Sequence, residues 1–222
     1  MRVVVTRAAE GAAPLVEALA AAGLDAVACP LVRIVPLGGP LPSLADYDWL
    51  VLTSARAVEE LLARADSPLP RTAVVGPGTA AALREAGIEP ALVAQRSTQE
   101  GLVEELRPLL AEGSRVLFAG AADARPVLAR ELGADAVALY RTEPVCPRSF
   151  PDCELVVLAS ASAARSFAEL GVDRPCVSIG PVTSAEARRV GLEVVAEAET
   201  HDLEGLVRAV RLAASRLGRS RS

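Results

Sequence analysis

The strongest constraint on the fold of this 222-residue chain is an internal repeat. Four blocks return in the same order: RVVVTRAA (2–9) with RVLFAGAA (115–122), LVLTSARAV (50–58) with VVLASASAA (156–164), AVVGPGTAAALREAGIE (73–89) with VSIGPVTSAEARRVGLE (177–193), and STQEGLVEEL (97–106) with THDLEGLVRAV (200–210). Chance accounts for one such match but not for four in order. The repeat therefore indicates two copies of one structural unit.

Each copy alternates short apolar runs with stretches of helical periodicity. The runs are RVVV, WLVL, TAVV, RVLF, ELVVL and CVSI, and the helical stretches include APLVEALAAAGL, ARAVEELLARA, GTAAALREAG and EGLVEELRPLL. Uninterrupted apolar strands are typical of parallel sheets covered on both faces. Strands that alternate with helices through short connections predict an α/β fold made of two similar parallel-sheet domains.

Two proline-rich segments, CPLVRIVPLGGPLP and LYRTEPVCPRSFP, interrupt this alternation at equivalent places. Proline removes backbone donors and disfavours helix in the residue before it, so both segments are expected to be extended. We interpret them as a two-stranded linker that crosses between domains near 29–36 and 139–147. The first domain is then discontinuous, made of 1–35 plus 148–222, and the second is 36–147.

Composition excludes several classes of function. Aromatic residues make up only 3% of the chain and the net charge is −5, which argues against nucleic acid as a partner. The basic tail RLAASRLGRSRS is short and is expected to fray. All basic residues apart from His201 are arginines, so lysine Schiff-base chemistry is excluded.

Nothing in the chain suggests export or membrane insertion. The N-terminus reaches charged residues too early for a signal peptide, and no uncharged apolar run approaches about 18 residues. The cysteines are Cys29, Cys146, Cys153 and Cys176, without a CxxC pair, and we expect reduced structural thiols. These observations predict a cytoplasmic protein with no membrane partner, and we expect a monomer.

Small residues, most of them hydroxyl-bearing or glycine, follow the predicted strands, where parallel α/β folds bind ligands. They are Thr53, Ser54, Ala55, Gly76, Gly78, Thr79, Ser97, Thr98, Ser160, Ala161, Ser162, Gly180, Pro181, Thr183 and Thr200. Free backbone N–H groups at helix N-termini favour anions. Plain N-capping is the alternative explanation for each serine or threonine. Gly76-Pro77-Gly78 permits close approach of a ligand, but no GK[ST] follows, so this is not a P-loop.

Other candidate chemistry is sparse. The single histidine, His201, is expected to be an exposed neighbour of a helix cap, and one histidine with scattered cysteines predicts no metal site. No Gly-x-Ser-x-Gly elbow occurs. Tyr140 lies in a crossing segment, where its hydroxyl either points into a ligand cleft or is simply solvated.

Taken together, VTR, YDWLVLTSARAV, AVVGPGTAAALREAG, STQEGLVEEL, YRTEP, SASAARSF, SIGPVTSAEA and EGLV resemble the uroporphyrinogen-III synthase family over essentially the whole chain. The resemblance implies two α/β domains joined by a two-stranded ladder. It also implies a lyase without a cofactor that closes the linear tetrapyrrole hydroxymethylbilane to uroporphyrinogen III, with ring D inverted through a spiro intermediate.

The family pattern carries over to individual residues. Tyr140 matches the tyrosine of the crossing strand, the candidate acid for departure of the substrate hydroxyl. Thr79 and Thr183 match the threonines after the glycine turns, and Ser54 and Ser160 match the serine bends. Members of the family often read PRGE where this chain reads AGAAD, so Arg7 or Arg125 would have to replace the missing arginine. The alternatives are a non-catalytic two-domain sensor of an anion or metabolite and a binding protein for another polycarboxylate.

Overall fold

The computed structural model describes residues 1–219 and contains two mainly parallel sheets flanked by helices. The strands are β1 (Arg2–Val5), β2 (Asp25–Ala28), β3 (Val32–Pro36), β4 (Trp49–Leu52), β5 (Arg71–Val74), β6 (Leu92–Val93), β7 (Val116–Ala121), β8 (Asp135–Pro144), β9 (Leu155–Leu158), β10 (Cys176–Ser178) and β11 (Val194–Glu197). The helices are α1 (Ala9–Ala21), α2 (Ala55–Leu62), α3 (Pro77–Glu85), α4 (Gln99–Leu106), α5 (Val127–Leu132), α6 (Ala161–Glu169), α7 (Pro181–Arg189) and α8 (Leu203–Arg219). The predicted α/β class is confirmed.

The chain divides into two compact units. Unit 1 comprises Met1–Ile34 and Glu143–Ser222, and unit 2 comprises Val35–Thr142. The chain passes from one unit to the other within β3 and again within β8, the two segments that the prolines marked. Strand β8 begins at Asp135, earlier than the expected 139, because its first residues pair in parallel with β7.

The two sheets show the same strand order in their repeated parts. Unit 1 has the order β11-β10-β9-β1-β2, and the other sheet has β6-β5-β4-β7-β8 with β3 added at the edge beyond β8. Equivalent strands pair at equivalent registers, since Val3 lies opposite Leu155 in one sheet and Val116 opposite Trp49 in the other. The sequence repeat is thus a repeat of topology.

Alternation along the strands explains the core of unit 1. Val3 and Val5 pack on one face of the sheet against α1 and α8, whereas Val4 packs on the other face against α6 and α7. All three valines are fully buried. Because helices cover both faces, the central strands are apolar at every buried position, as the runs in the sequence predicted.

One expectation about the C-terminus is wrong. The tail from 211 onward was expected to fray, but α8 continues to Arg219. Its inner face places Leu206, Val210 and Ala213 in the core of unit 1, and this burial holds the helix in place. Residues 220–222, the end of that tail, lie outside the described residues.

Candidate active site

A hydrogen-bonded pair of hydroxyls joins a bend to a strand in unit 2. Ser54 follows β4 in extended conformation and caps α2, accepting a hydrogen bond from the Ala57 backbone N–H at 3.1 Å. Its Oγ also lies 2.9 Å from the Oη of Tyr140 in β8. The polar tip of a crossing-strand tyrosine is therefore held at the carboxyl end of β4, the edge where parallel α/β sheets carry their ligands.

Burial dominates the environment of Tyr140. The residue is 8% exposed, and desolvation raises the pKa of its phenol, because burial disfavours the charged form. The hydrogen bond with Ser54 lowers this pKa, the carboxylate of Asp123 raises it, and the guanidinium of Arg56 lowers it. Of the two alternatives for this hydroxyl, simple solvation is not what the structure shows, since the hydroxyl has a protein partner. The phenol is therefore uncharged near neutral pH.

The second bend of unit 2 joins β5 to α3. Gly76 caps α3 in fully extended conformation, so its backbone does not require glycine. The space around Gly76 does favour glycine, because a Cβ at this position would lie 2.5 Å from Ser97 Oγ. The chain's own Ser97 thus occupies the space on the Cβ side of Gly76. Next to it Thr98 caps α4, accepting from the Gly101 backbone N–H at 3.0 Å.

Unit 1 repeats these two bends. Ser160 caps α6 by accepting from the Ala163 backbone N–H at 3.1 Å, and Gly180 caps α7 without a side chain. Thr183, in the first turn of α7, is 5% exposed, as is its equivalent Thr79 in α3. The alternative of plain N-capping is thus observed for Ser54, Thr98 and Ser160, in addition to any role in binding.

His201 does not lie exposed as we expected. The imidazole is half-buried, and a Cβ built on Gly180 would come 2.6 Å from its Nε2. It therefore occupies in unit 1 the place that Ser97 occupies in unit 2. The cap of α8 is Asp202, which accepts from the Gly205 backbone N–H at 2.7 Å, and Thr200 instead donates its hydroxyl to Asp202 at 3.0 Å. Aligning the glycines 101 and 205 without a gap would have found this correspondence.

The two candidate arginines differ in their surroundings. Arg7 lies two residues after the carboxyl end of β1 and is exposed. Its side chain lies against Gly11 in the first turn of α1. Arg125 forms a two-point ion pair with Glu100, with one bond of 3.0 Å between its NH2 group and Oε2, and this pair lowers the pKa of Glu100. Arg125 is therefore already engaged by a carboxylate of the protein.

The predicted site residues therefore fall into two sets at the carboxyl ends of two sheets. Unit 2 contains Thr53, Ser54, Ala55, Gly76, Gly78, Thr79, Ser97, Thr98 and Tyr140. Unit 1 contains Arg7, Ser160, Ala161, Ser162, Gly180, Pro181 and Thr183. The structure brings Ser54 together with Tyr140, and Gly76 together with Ser97.

Sequence reasoning overlooked Arg56, two residues beyond Ser54. Among residues 1–219, the buried side-chain polar atoms without a hydrogen-bond partner are Arg56 Nε and Gln99 Oε1. Arg56 is also one of the two charged groups that shift the pKa of the Tyr140 phenol. The sequence did contain a signal for Arg56: it is a charged residue in the first turn of α2, the helix that the candidate site residue Ser54 caps.

The described residues contain neither a metal-binding cluster nor a membrane-spanning helix. No cluster of three or more histidine, cysteine, aspartate or glutamate side chains in residues 1–219 is arranged to hold a metal ion. Among the helices of the same region, none has the length and apolar character needed to cross a bilayer.

Comparison with known proteins identifies relatives over nearly the full length. A family model described as uroporphyrinogen-III synthase HemD matches residues 13–208. A uroporphyrinogen-III synthase of Synechococcus elongatus is 30% identical over an alignment 248 positions long. The alignment covers 94% of this chain and 93% of that protein.

Solved structures show the same fold. Uroporphyrinogen-III synthetase from Helicobacter pylori has a TM-score of 0.67 at 19% identity, covering 97% of this chain and 99% of its own. A mutant uroporphyrinogen III synthase from Thermus thermophilus has a TM-score of 0.63 at 17% identity, with the same two coverages. At these identities the likeness shows the fold, and the family is shown by the sequence matches.

Proposed function

The chain belongs to the uroporphyrinogen-III synthase family, and from this premise we propose that it converts hydroxymethylbilane to uroporphyrinogen III with inversion of ring D. The reaction makes it a lyase of porphyrin biosynthesis. The alternative of a non-catalytic sensor is not favoured, because the 30% identical relative is named as a synthase and is matched over nearly all of its length.

The observation that supports the chemistry is the pair of hydroxyls Ser54 and Tyr140. In the proposed reaction Tyr140 donates a proton to the departing hydroxyl of the substrate, which leaves as water and generates an azafulvenium-type cation. Ring D attacks this cation through its substituted carbon, and the resulting spiro intermediate fragments and recloses. A neutral buried phenol is a weak acid, so its contribution is the modest one of a positioned proton donor.

The binding residues are proposed from their positions at helix starts. The substrate carries eight carboxylates, and free backbone N–H groups after Ser54, Gly76, Ser160 and Gly180 can bind anions. Capping uses only part of this capacity, because each serine satisfies one N–H and the glycines satisfy none. Holding the substrate in one geometry is the main task, since spontaneous closure gives the uninverted isomer I.

We further propose that the protein works as a cytoplasmic monomer without a cofactor. The thiols fit a reducing compartment, because all four cysteines are free and Cys146 is exposed. The expectation that no cofactor is needed comes from the sequence resemblance alone.

The test supplies freshly made hydroxymethylbilane to the purified protein, without added metal and with or without a chelator. We expect uroporphyrinogen III in both reactions, separated from isomer I by chromatography of the oxidised products. If only isomer I forms, at the rate of the buffer control, the proposed activity is wrong. A loss of isomer III on chelation would instead show that the reaction needs a metal.

A further inference from the structure

Arg56 is held in the first turn of α2 by two carboxylates of the same helix. Its NH1 group donates to Glu59 at 3.1 Å, and its NH2 group lies 2.7 Å from Glu60. The Arg56 side chain is 29% exposed and that of Glu60 is 13% exposed, so this ion pair is largely shielded from water. Both terminal nitrogens are thereby fixed, two residues from the serine that binds Tyr140.

The third nitrogen of this guanidinium is left over. Nε is buried, and no described residue accepts a hydrogen bond from it. Buried donors are nearly always paired, so an unpaired one in a native structure requires an explanation. A side chain that has two carboxylate partners and still keeps a buried N–H unsatisfied is positioned for something other than the stability of α2.

The charges that act on the Tyr140 phenol have opposite signs. Asp123, in the loop after β7, disfavours the phenolate, whereas Arg56 favours it. Ser54 is the hydrogen-bond partner from the same turn as Arg56. Helix α2 thus begins with one uncharged and one cationic group, and both stabilise negative charge on Oη.

We propose that Arg56 is a positioning residue for Tyr140, whose guanidinium stabilises the phenolate that forms during catalysis. The Oη–H bond of Tyr140 breaks, its proton joins the departing hydroxyl, and water leaves as the C–O bond of the substrate breaks. Ring closure later releases one proton from the pyrrole carbon that formed the new bond, and this proton returns to the phenolate. The cycle therefore consumes no net proton, and Arg56 compensates the charge between the two transfers.

The first test needs no substrate. The chain has only two tyrosines, so a Tyr47→Phe background leaves Tyr140 as the sole phenol. Its titration is followed by ultraviolet tyrosinate absorbance or by NMR of the ring carbon bonded to oxygen, with circular dichroism as a check of folding at each pH. We expect Arg56→Met to move the midpoint to higher pH and Arg56→Lys to return it towards the parent value.

The direction of the shift separates this role from a structural one. If Arg56→Met merely loosened the packing around Tyr140, the midpoint would move to lower pH, because burial is what raises the pKa. Glu59→Gln is the matched control: it removes one ion pair of Arg56 but keeps the cation. An unchanged or lowered midpoint in Arg56→Met, or an upward shift of equal size in Glu59→Gln, would overturn the proposal.

The second test uses the reaction and rests on the proposed function of Tyr140. We expect Arg56→Met to lower kcat by about 3- to 10-fold with little change in KM, since a shift of one pKa unit corresponds to a factor of ten. In a Tyr140→Phe background the same substitution should have no further effect on kcat. Additive losses would show that Arg56 does not act through Tyr140.

The two tests also separate the possible failures. Absence of isomer III with the wild-type protein refutes the synthase function but leaves the titration interpretable. If the wild-type protein forms isomer III but Tyr140 titrates in Arg56→Met as it does in the parent, only the role of Arg56 is refuted.

Discussion

Ser54 Oγ lies 2.9 Å from Tyr140 Oη while accepting a hydrogen bond from the Ala57 N–H at 3.1 Å, so one hydroxyl both caps a helix and binds the candidate acid. Ser160 caps α6 with the same 3.1 Å geometry, and both tyrosines of the chain belong to the other unit. The repeat thus provides a natural control for the function of Ser54.

Replacement of Ser54 by alanine should affect more than stability. Ser54→Ala and Ser160→Ala should each lower the free energy of unfolding of their unit by about 1 kcal/mol, the usual loss for a serine cap. Ser54→Ala should in addition release the phenol and lower kcat beyond the loss seen in Ser160→Ala. Urea unfolding and product analysis on the same preparations measure both quantities. Equal kcat values in two equally destabilised variants would contradict the functional contact.

Removal of the phenol hydroxyl tests the candidate acid. Tyr140→Phe keeps the buried ring and should stay folded, but we expect formation of isomer III to slow by about 10- to 100-fold, with isomer I rising as spontaneous closure competes. Tyr47→Phe is the control, because Tyr47 donates its hydroxyl to Asp135 and not to a bend of the candidate site. If Tyr140→Phe turns over like the Tyr47→Phe control, the proton donor is another group.

The two glycines of the β5–α3 bend should respond differently to replacement by alanine. In Gly76→Ala the new Cβ would meet Ser97 Oγ at 2.5 Å, whereas Gly78 has no heavy atom within 4 Å of such a Cβ. We expect Gly76→Ala to lower the free energy of unfolding of unit 2 by about 1–3 kcal/mol, the cost of overpacking. Gly78→Ala, in the first turn of α3, should leave it unchanged or slightly raised. Urea unfolding curves of the two variants measure this difference. Equal midpoints would show that Ser97 moves aside freely.

Glu186 gives an acid-dependent contribution to unit 1. Hydrogen bonds from Arg189 at 2.8 Å and from Arg165 at 3.1 Å lower the pKa of this carboxyl to about 2. A depressed pKa stabilises the folded state above the unfolded value of about 4.3, and this stabilisation is lost as the pH falls towards 2. The two arginines are 44% and 66% exposed, so we expect no more than about 1 kcal/mol.

The comparison of wild type with Glu186→Gln measures this contribution directly. The difference in unfolding free energy between the two proteins should be present at pH 6, shrink below pH 4.5 and vanish near pH 2. A difference that stays constant over this range would mean that the carboxylate charge is not responsible.

The central strands and the repeat were predictable because they depend on local pattern. Val3 to Val5 and Leu155 to Leu158 are buried on both faces, and that burial requires an unbroken apolar run. The edge strands β2, β6 and β11 were not predicted as apolar runs, since edge positions are only partly covered and tolerate residues such as Asp25 and Glu197.

The sequence by itself determined the fold class, the order of the central strands and their helices, and the bends at which hydroxyls and glycines stand. Only the tertiary structure decided which of these groups meet, because Tyr140 reaches Ser54 across 86 residues through parallel pairing of β8 with β7 and of β7 with β4. It also decided that Gly76 and Gly180 accommodate Ser97 and His201, and that a nitrogen of Arg56 is left unpaired. Such facts depend on distances between segments remote in sequence, and no local periodicity contains them.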